Sequence, residues 1–156
     1  MNDSAATAQV IIRPPFAWAL AVIVGLVIDW LEPLPFLPDD LPAGAFGALV
    51  FALALGLGVW AVATMTSAGS NVPTNQPTTT IVESGPYRFT RNPIYLGMFG
   101  SVIGLAIAFD NLWLLMMLVP FALVIRYGVV AREEAYLERR FGDLYRGYRV
   151  RVRRWL

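Results

Sequence analysis

Four hydrophobic blocks constrain the fold of this chain more than any other feature of its sequence. They cover residues of about 15–31, 45–65, 94–109 and 112–130. A helix that crosses a bilayer needs about 20 mostly apolar residues, with a range of roughly 17 to 25. The chain is 57% hydrophobic and only 15% charged, whereas soluble domains carry about 25% charged residues. The blocks therefore predict an all-α integral membrane protein with four transmembrane helices.

The arginines predict how these helices are oriented. All 12 basic residues are arginine. The loop of residues 66–93 has two of them and the segment 131–156 has eight, whereas the loop 32–44 and the turn 110–111 have none. Basic residues accumulate on the cytoplasmic side of membrane proteins. The distribution predicts that both termini face the cytoplasm, as in a protein of the bacterial inner membrane.

The chain is expected to form a single membrane domain over residues 1–156. Residues 66–93 form a cytoplasmic loop rich in Thr, Ser, Asn and Pro, and loops of this length are usually functional or disordered. Segment 131–156 is amphipathic, which predicts a C-terminal helix lying along the cytoplasmic face of the membrane. The third block carries a small-residue face that is typical of close helix packing, formed by Gly97, Gly100 and Gly104.

The absence of cysteine and histidine excludes several kinds of chemistry. The chain has no cysteine and no histidine. It therefore has no thiolate nucleophile, no histidine base for a serine or cysteine nucleophile, and no zinc site with ordinary nitrogen and sulfur ligands. Its arginines and aromatic residues form no nucleic-acid motif, and an anionic membrane surface explains them better. We expect neither a metal nor a nucleic acid as a partner.

One motif precedes the third block. A turn at residues 85–86 is followed by Asn92, which suits the N-cap of a helix, and by Pro93, which suits its first turn. A helix N-terminus presents free N–H groups and partial positive charge to a carboxylate or a phosphate. Arg88 and Arg91 either contribute to such a site or anchor the helix against anionic lipid; spacing alone favours the anchor.

A second group of charges lies at the end of the fourth block. Glu133 and Glu134 are adjacent, and Arg126 precedes Glu133 by seven residues, about two helical turns. This spacing predicts that Arg126 and Glu133 share a helix face. Arg126 either extends its side chain to the interface or has a function, because a charge at the bilayer centre costs roughly 2.5–3.5 kcal/mol on insertion scales.

The order and spacing of these motifs resemble the isoprenylcysteine carboxyl methyltransferase family and the related membrane phospholipid N-methyltransferases. The resemblance covers roughly residues 66–155. The residues that carry it are Ile81-Val82-Glu83-Ser84-Gly85-Pro86-Tyr87-Arg88, Arg91-Asn92-Pro93-Ile94-Tyr95-Leu96-Gly97, Glu133-Glu134, Leu137, Phe141-Gly142, Tyr145 and Tyr148.

The resemblance implies a methyltransferase with S-adenosylmethionine as its cofactor, bound at the cytoplasmic ends of the last two helices. Glu133 corresponds to the carboxylate of the family's Glu-Glu motif. Arg88 and Arg91 are candidates for the charge that faces the cofactor's amino-acid end. The full set of predicted cofactor-binding residues is Ile81, Val82, Tyr87, Arg88, Arg91, Asn92, Pro93, Tyr95 and Glu133.

The sequence departs from the family at two positions. Asn92 stands where the eukaryotic enzymes have histidine, and asparagine cannot take part in proton transfer by titrating. Val129 lies about where those enzymes have a substrate-facing arginine, and Arg126 or Arg132 is a candidate replacement. With Glu134, these two arginines form the predicted catalytic set.

Methyl transfer from a sulfonium fits a chain that lacks metal ligands, thiols and histidine, because it requires alignment and removal of water, and positioning supplies roughly 7–11 kcal/mol of a barrier. We expect a lipid-like acceptor, either a carboxylate or an amine, to enter from the bilayer. Two alternatives remain: a membrane reductase with a nicotinamide cofactor, and a non-catalytic membrane assembly subunit.

Overall fold

The computed structural model describes residues 7–73 and 76–156, and within these ranges the chain is helical, with no β-strand. The prediction of an all-α fold is confirmed. The predicted single domain 1–156 also includes residues 1–6, 74 and 75, which lie outside the described residues. The helices are α1 (Pro14–Leu31), α2 (Ala43–Ser67), α3 (Pro93–Ala108), α4 (Leu112–Leu123), α5 (Ala131–Phe141) and α6 (Asp143–Arg151), with a 3₁₀ turn at Gly85–Arg88 and a π-helical segment at Val124–Val130.

Within the residues that the structure describes, three helices are long and apolar enough to cross a bilayer: α1, α2 and the continuous helix Leu112–Phe141. Only 11% of the apolar span of α2 is buried within the protein, so most of its surface is left for lipid. These properties indicate an integral membrane protein. The 16 residues of α3 rise only about 24 Å, less than the roughly 30 Å of a hydrocarbon core. The four-span topology therefore stays a prediction.

Glycines bring α2 and α3 into close contact. A Cβ atom built on Gly104 would lie 2.5 Å from the backbone nitrogen of Phe51, and one built on Gly97 would lie 2.8 Å from the carbonyl oxygen of Ala54. On the facing helix, Gly47 is equally closely packed against Ala108. The small-residue face predicted for the third block is confirmed as a packing surface, because larger side chains would force the two backbones apart.

Hydrogen bonds between loops define two ends of the helix bundle. At one end, the backbone N–H of Leu112 donates to the carbonyl of Leu34 at 3.0 Å, so the α1–α2 loop lies beside the α3–α4 turn. At the other end, the N–H of Ile11 donates to the carbonyl of Gly128 at 3.1 Å. The assignment of this second end to the cytoplasm follows from the arginine distribution and stays a prediction.

The segment after residue 130 differs in part from the sequence-based expectation. Instead of one helix that folds back after Val130, α5 continues the axis of α4 through the π-helical segment, and the chain turns only at Gly142. Gly142 has φ of 53°, a left-handed conformation that favours glycine and ends α5. The amphipathic C-terminal segment therefore consists of two helices, and α6 packs back against the second end of the bundle through Tyr145 and Tyr148.

Candidate functional site

A pocket opens at the second end of the bundle, between the α2–α3 loop and the last two helices. The space between its walls is about 930 Å³, open mouth included. Its walls come from residues 71–73 and 76–82, from the turn around Tyr87, from the start of α3, and from α5 and α6. Segments far apart in sequence therefore meet here.

Nine of the twelve predicted site residues line this pocket. They are Ile81, Val82, Tyr87, Arg91, Asn92, Pro93, Tyr95, Glu133 and Glu134. The other three, Arg88, Arg126 and Arg132, lie outside the lining and have exposed side chains.

The π-helical segment explains the position of Arg126. A π turn closes hydrogen bonds from i to i+5 rather than i to i+4, so seven residues do not return to the same helix face. Arg126 consequently points away from the pocket, with its guanidinium carbon 5.4 Å from the ring centre of Tyr127. Arg132 donates to the carbonyl of Gln9 at 2.9 Å, and Val129 is fully buried in the helix core. Neither Arg126 nor Arg132, the two candidate replacements for an arginine at Val129, therefore lines the pocket.

Glu133 occupies the inner wall of the pocket. Its Oε1 accepts a 2.8 Å hydrogen bond from the hydroxyl of Tyr95 at the first turns of α3. Within residues 7–73 and 76–156, no arginine forms an ion pair with Glu133. A carboxylate has acceptor sites for several donors, so Glu133 retains acceptor capacity toward the pocket.

Glu134, by contrast, forms ion pairs with two arginine side chains through its two carboxylate oxygens. Arg154 holds it in a bidentate pair, with Nε 3.0 Å from Oε1 and Nη2 2.6 Å from Oε2. Arg91 contributes Nη1 at 2.9 Å, and the side chains of Arg91 and Glu134 are only 9% and 13% exposed. Bidentate arginine–carboxylate pairs are geometrically specific. Glu134 therefore organises the site rather than offering a free carboxylate to a ligand.

Arg91 is shared between this ion pair and the pocket. Its Nη1 also donates to the hydroxyl of Tyr145 at 3.0 Å. Its Nε atom is buried and has no hydrogen-bond partner among the residues that the structure describes. Buried polar groups are normally paired, so a buried guanidinium N–H without such a partner is an unusual feature of a residue that lines the pocket.

Asn92 holds the predicted N-cap position of α3, but its side chain makes no capping hydrogen bond. Its Nδ2 instead donates to the carbonyl of Arg154 at 2.9 Å. The hydroxyl of Thr90 donates to the same carbonyl at 3.1 Å. The asparagine that replaces the family's histidine thus fastens the segment after α6 to the start of α3.

Tyrosines add further polar groups to the lining. The hydroxyl of Tyr148 donates to the carbonyl of Tyr87 at 2.8 Å. The hydroxyl of Tyr87 is buried and, over the described residues, has no partner. Burial raises the pKa of both Tyr87 and Tyr148 well above the ordinary value, and the neighbouring Glu133 adds to the rise at Tyr87. Both hydroxyls therefore stay protonated and act as neutral hydrogen-bond donors.

Sequence reasoning missed two parts of the site. Arg154 is one of eight arginines in residues 131–156, and no local pattern distinguishes it from the others. The wall formed by residues 71–73 and 76–80 also carries no motif, although the length of the loop indicated that it is either functional or disordered. There the backbone N–H of Thr78 donates to the hydroxyl of Tyr136 at 3.1 Å, which fastens the loop to α5.

Comparison with known proteins gives two matches. Residues 43–144, more than half of the chain, match the family described as phospholipid methyltransferase. A protein of Haemophilus influenzae described as uncharacterized is 61% identical over 36 residues, which are 23% of this chain and 57% of that protein. The chain thus spans little more than half the length of this relative. No solved structure gives a significant match. The family match confirms the membrane methyltransferase superfamily indicated by the order of the motifs, and it covers most of the pocket's lining.

Proposed function

The chain belongs to the phospholipid methyltransferase family, and from that premise we propose that it is an S-adenosylmethionine-dependent methyltransferase of the membrane. We propose further that its acceptor is a lipid-like carboxylate or amine. The observation that carries the proposal is the pocket. Its lining combines the carboxyl group of Glu133 with a buried hydroxyl on Tyr87 and a buried N–H on Arg91 that have no hydrogen-bond partner among the described residues.

These groups fit the cofactor's chemistry. S-adenosylmethionine carries a carboxylate, an ammonium group, a ribose diol and an apolar purine. The unpaired N–H of Arg91 suits the carboxylate, and Glu133 suits the hydroxyls of the ribose, because a carboxylate accepts from two of them. The hydroxyl of Tyr87 is available as a further donor, and the side chains of Ile81 and Val82 offer apolar wall for the purine.

When bound, the cofactor supplies an activated methyl group on a sulfonium. The residues of this chain then have to orient the two reactants and keep water out, which needs neither metal nor thiol. Pro93 and Ile94 close the pocket at the start of α3, and Met65 closes it at the end of α2. In this proposal Asn92 keeps the wall in place through Arg154 rather than transferring a proton.

The acceptor enters from the bilayer. Met65 and Ile94 stand on helix ends whose outer surfaces are strongly apolar, and in α2 the side chains of Val59 and Trp60 are 62% and 50% exposed. A lipid tail lying against such a surface places its head group at the level of the pocket. A site at the membrane boundary also has a low local dielectric, which strengthens electrostatic contacts within it.

The proposed topology has both ends of the chain and the pocket on the cytoplasmic side of a bacterial inner membrane. Two features support it. The fold places the start of α1, the α2–α3 loop and α6 at one end, and nearly all arginines lie at that end. Because the cofactor is a soluble metabolite, a pocket at the arginine-rich end has access to it.

Isothermal calorimetry on the detergent-purified protein tests the proposal. We expect S-adenosylmethionine and its demethylated product, S-adenosylhomocysteine, to bind, and NADPH not to bind. Binding of NADPH alone would replace the proposal with a reductase, and binding of none of the three would favour an assembly subunit.

Glu133→Gln and Tyr87→Ala should each weaken cofactor binding more than Arg153→Ala, whose side chain is exposed. Equal effects would mean that the pocket is misassigned. Methyl transfer from labelled cofactor to a panel of fatty acids, prenyl-cysteine carboxylates and aminophospholipids then identifies the acceptor.

A further inference from the structure

The short segment that follows α6 contacts the pocket wall through both its backbone and its side chains. The backbone N–H of Arg91 donates to the carbonyl of Arg153 at 3.0 Å. The carbonyl of Arg154 accepts from Asn92 and Thr90 at 2.9 and 3.1 Å. Trp155 packs on Phe99 in α3, with ring centres 5.7 Å apart. We call the contacts of residues 153–155 with residues 90–92 the clasp.

The guanidinium of Arg154 connects the clasp to the charged cluster of the pocket. It occupies both oxygens of Glu134, while Arg91 reaches only Oε1. Glu134 therefore cannot draw Arg91 into a bidentate pair of its own. Arg91 keeps one terminal nitrogen on Glu134 and Tyr145, and its buried Nε remains without a partner among the described residues.

We propose that Arg154 is a positioning residue that keeps Arg91 available to an anionic group in the pocket. Without Arg154, both oxygens of Glu134 are free to pair with Arg91, and a bidentate pair satisfies the guanidinium within the protein. The ion-paired group of Glu134, Arg91 and Arg154 would also lose one of its two positive charges, which disfavours a carboxylate ligand. The proposal rests on the proposed function, since the anionic group is then the carboxylate of the cofactor.

Two ligands separate this role from general support of the pocket. S-adenosylhomocysteine has the amino-acid group, whereas 5′-methylthioadenosine has the same adenosine and sulfur without it. We expect Arg154→Ala to weaken binding of S-adenosylhomocysteine by at least about tenfold, the scale of one charge-assisted hydrogen bond, and to change binding of methylthioadenosine less than about twofold. Arg154→Lys, which keeps the charge but not the bidentate pair, should recover part of the loss. Arg153→Ala, one residue earlier with an exposed side chain, is the matched control.

The clasp itself is tested without a ligand. Amide hydrogen exchange over residues 87–92 should become faster in Arg154→Ala and in Asn92→Asp, which cannot donate to the carbonyl of Arg154, and should stay unchanged in Arg153→Ala. Equal exchange in Arg154→Ala and Arg153→Ala would overturn the proposal whatever the protein binds. Equal weakening of both ligands by Arg154→Ala would also overturn it, because a merely structural role predicts that result. If Arg91→Ala leaves S-adenosylhomocysteine binding intact, the assignment of Arg91 in the proposed function fails instead, and the positioning role falls with it even if the clasp is intact.

Discussion

The α2–α3 interface and the pocket end are built by opposite means. Between α2 and α3 the contact is backbone against backbone, with glycines where a side chain would collide. At the pocket end, arginine, glutamate and tyrosine side chains from segments far apart in sequence form the contacts. The first surface tolerates almost no added volume but needs no particular chemistry. The second depends on the identity of each polar group, because a buried charge without its partner is costly.

This difference implies that substitutions at the two places should fail in different ways. A substitution at the glycine interface should unfold the protein, so that stability and ligand binding are lost together. A change in the polar network should leave the helices in place and affect ligand binding. If a variant at one of the two places behaved like a variant at the other, this difference between the glycine interface and the polar network would not hold.

The largest effect should come from Gly104→Leu. Its new Cβ would lie 2.5 Å from a backbone nitrogen of α2, and a helix backbone cannot yield as a flexible side chain does, so we expect destabilisation of about 3 kcal/mol or more. Thermal unfolding in detergent and the yield of monodisperse protein measure it. Gly56→Leu, at a position where nothing lies within 4 Å, is the control and should fold normally. Equal behaviour of the two variants would show that the close approach is unimportant.

Glu133→Gln should have the next largest effect, and only on binding. Glutamine puts an NH₂ donor in place of one acceptor oxygen, so a hydroxyl of S-adenosylhomocysteine would be left buried and unsatisfied, which costs about 1–3 kcal/mol and should weaken binding by about tenfold or more. Calorimetry measures the affinity and thermal unfolding checks the fold. Glu138→Gln, which loses only exposed ion pairs with Arg146 and Arg149, should bind normally. A similar loss in both variants would indicate a general effect of surface charge.

Tyr87→Phe should weaken binding without weakening the fold. Its hydroxyl is buried without a partner within the described part of the chain, and such a group costs about 1–3 kcal/mol, so its removal should leave thermal stability unchanged or raised. Loss of a ligand hydrogen bond should reduce affinity by about threefold to tenfold. Tyr148→Phe removes a satisfied hydrogen bond and should lower stability. If Tyr87→Phe destabilised the protein as much, its hydroxyl would have a structural partner after all.

The smallest effect should be that of Arg126→Gln. The side chain lies outside the pocket lining and against Tyr127, so cofactor affinity and methyl transfer should both change by less than about twofold, as expected for an exposed charge. Arg91→Gln is the comparison and should weaken binding clearly. A loss of methyl transfer in Arg126→Gln would place the acceptor on the outer face of the π-helical segment and would require a second binding surface.

The fold was largely predictable because bilayer physics leaves a strong trace in sequence. Blocks of apolar residues predicted α1 to α4 within two residues at almost every boundary, and the glycine spacing predicted the tight face of α3. The end of the fourth helix was not predictable in this way. Hydropathy changes at residue 130, but a helix that leaves the membrane has no reason to stop there, and only the left-handed Gly142 ends it.

The residues of the candidate site were predictable where they are close in sequence. The prediction failed where the geometry of a helix determines which side chains face the pocket. The segment 81–95 and Glu133 came from motif order, and the structure brings them to one pocket. An ideal α-helical period predicts Arg126 on the same face as Glu133. The π-helical turns have more residues per turn, so this period does not apply to them. Arg154 could not be distinguished from its neighbouring arginines, since its partners Glu134 and Asn92 lie 20 and 62 residues away.

The π-helical segment has a further consequence for how relatives of this protein are aligned. Removing one residue from a helix rotates everything beyond it by about 100° relative to everything before it. A relative that lacks one residue within Val124–Val130 would, on the same helix axis, turn a different side chain toward the pocket in place of Glu133. Matching letters beyond such a deletion would then not occupy matching places in space. A one-residue gap in this segment would therefore change which side chain of α5 faces the pocket, although no pocket residue itself is substituted.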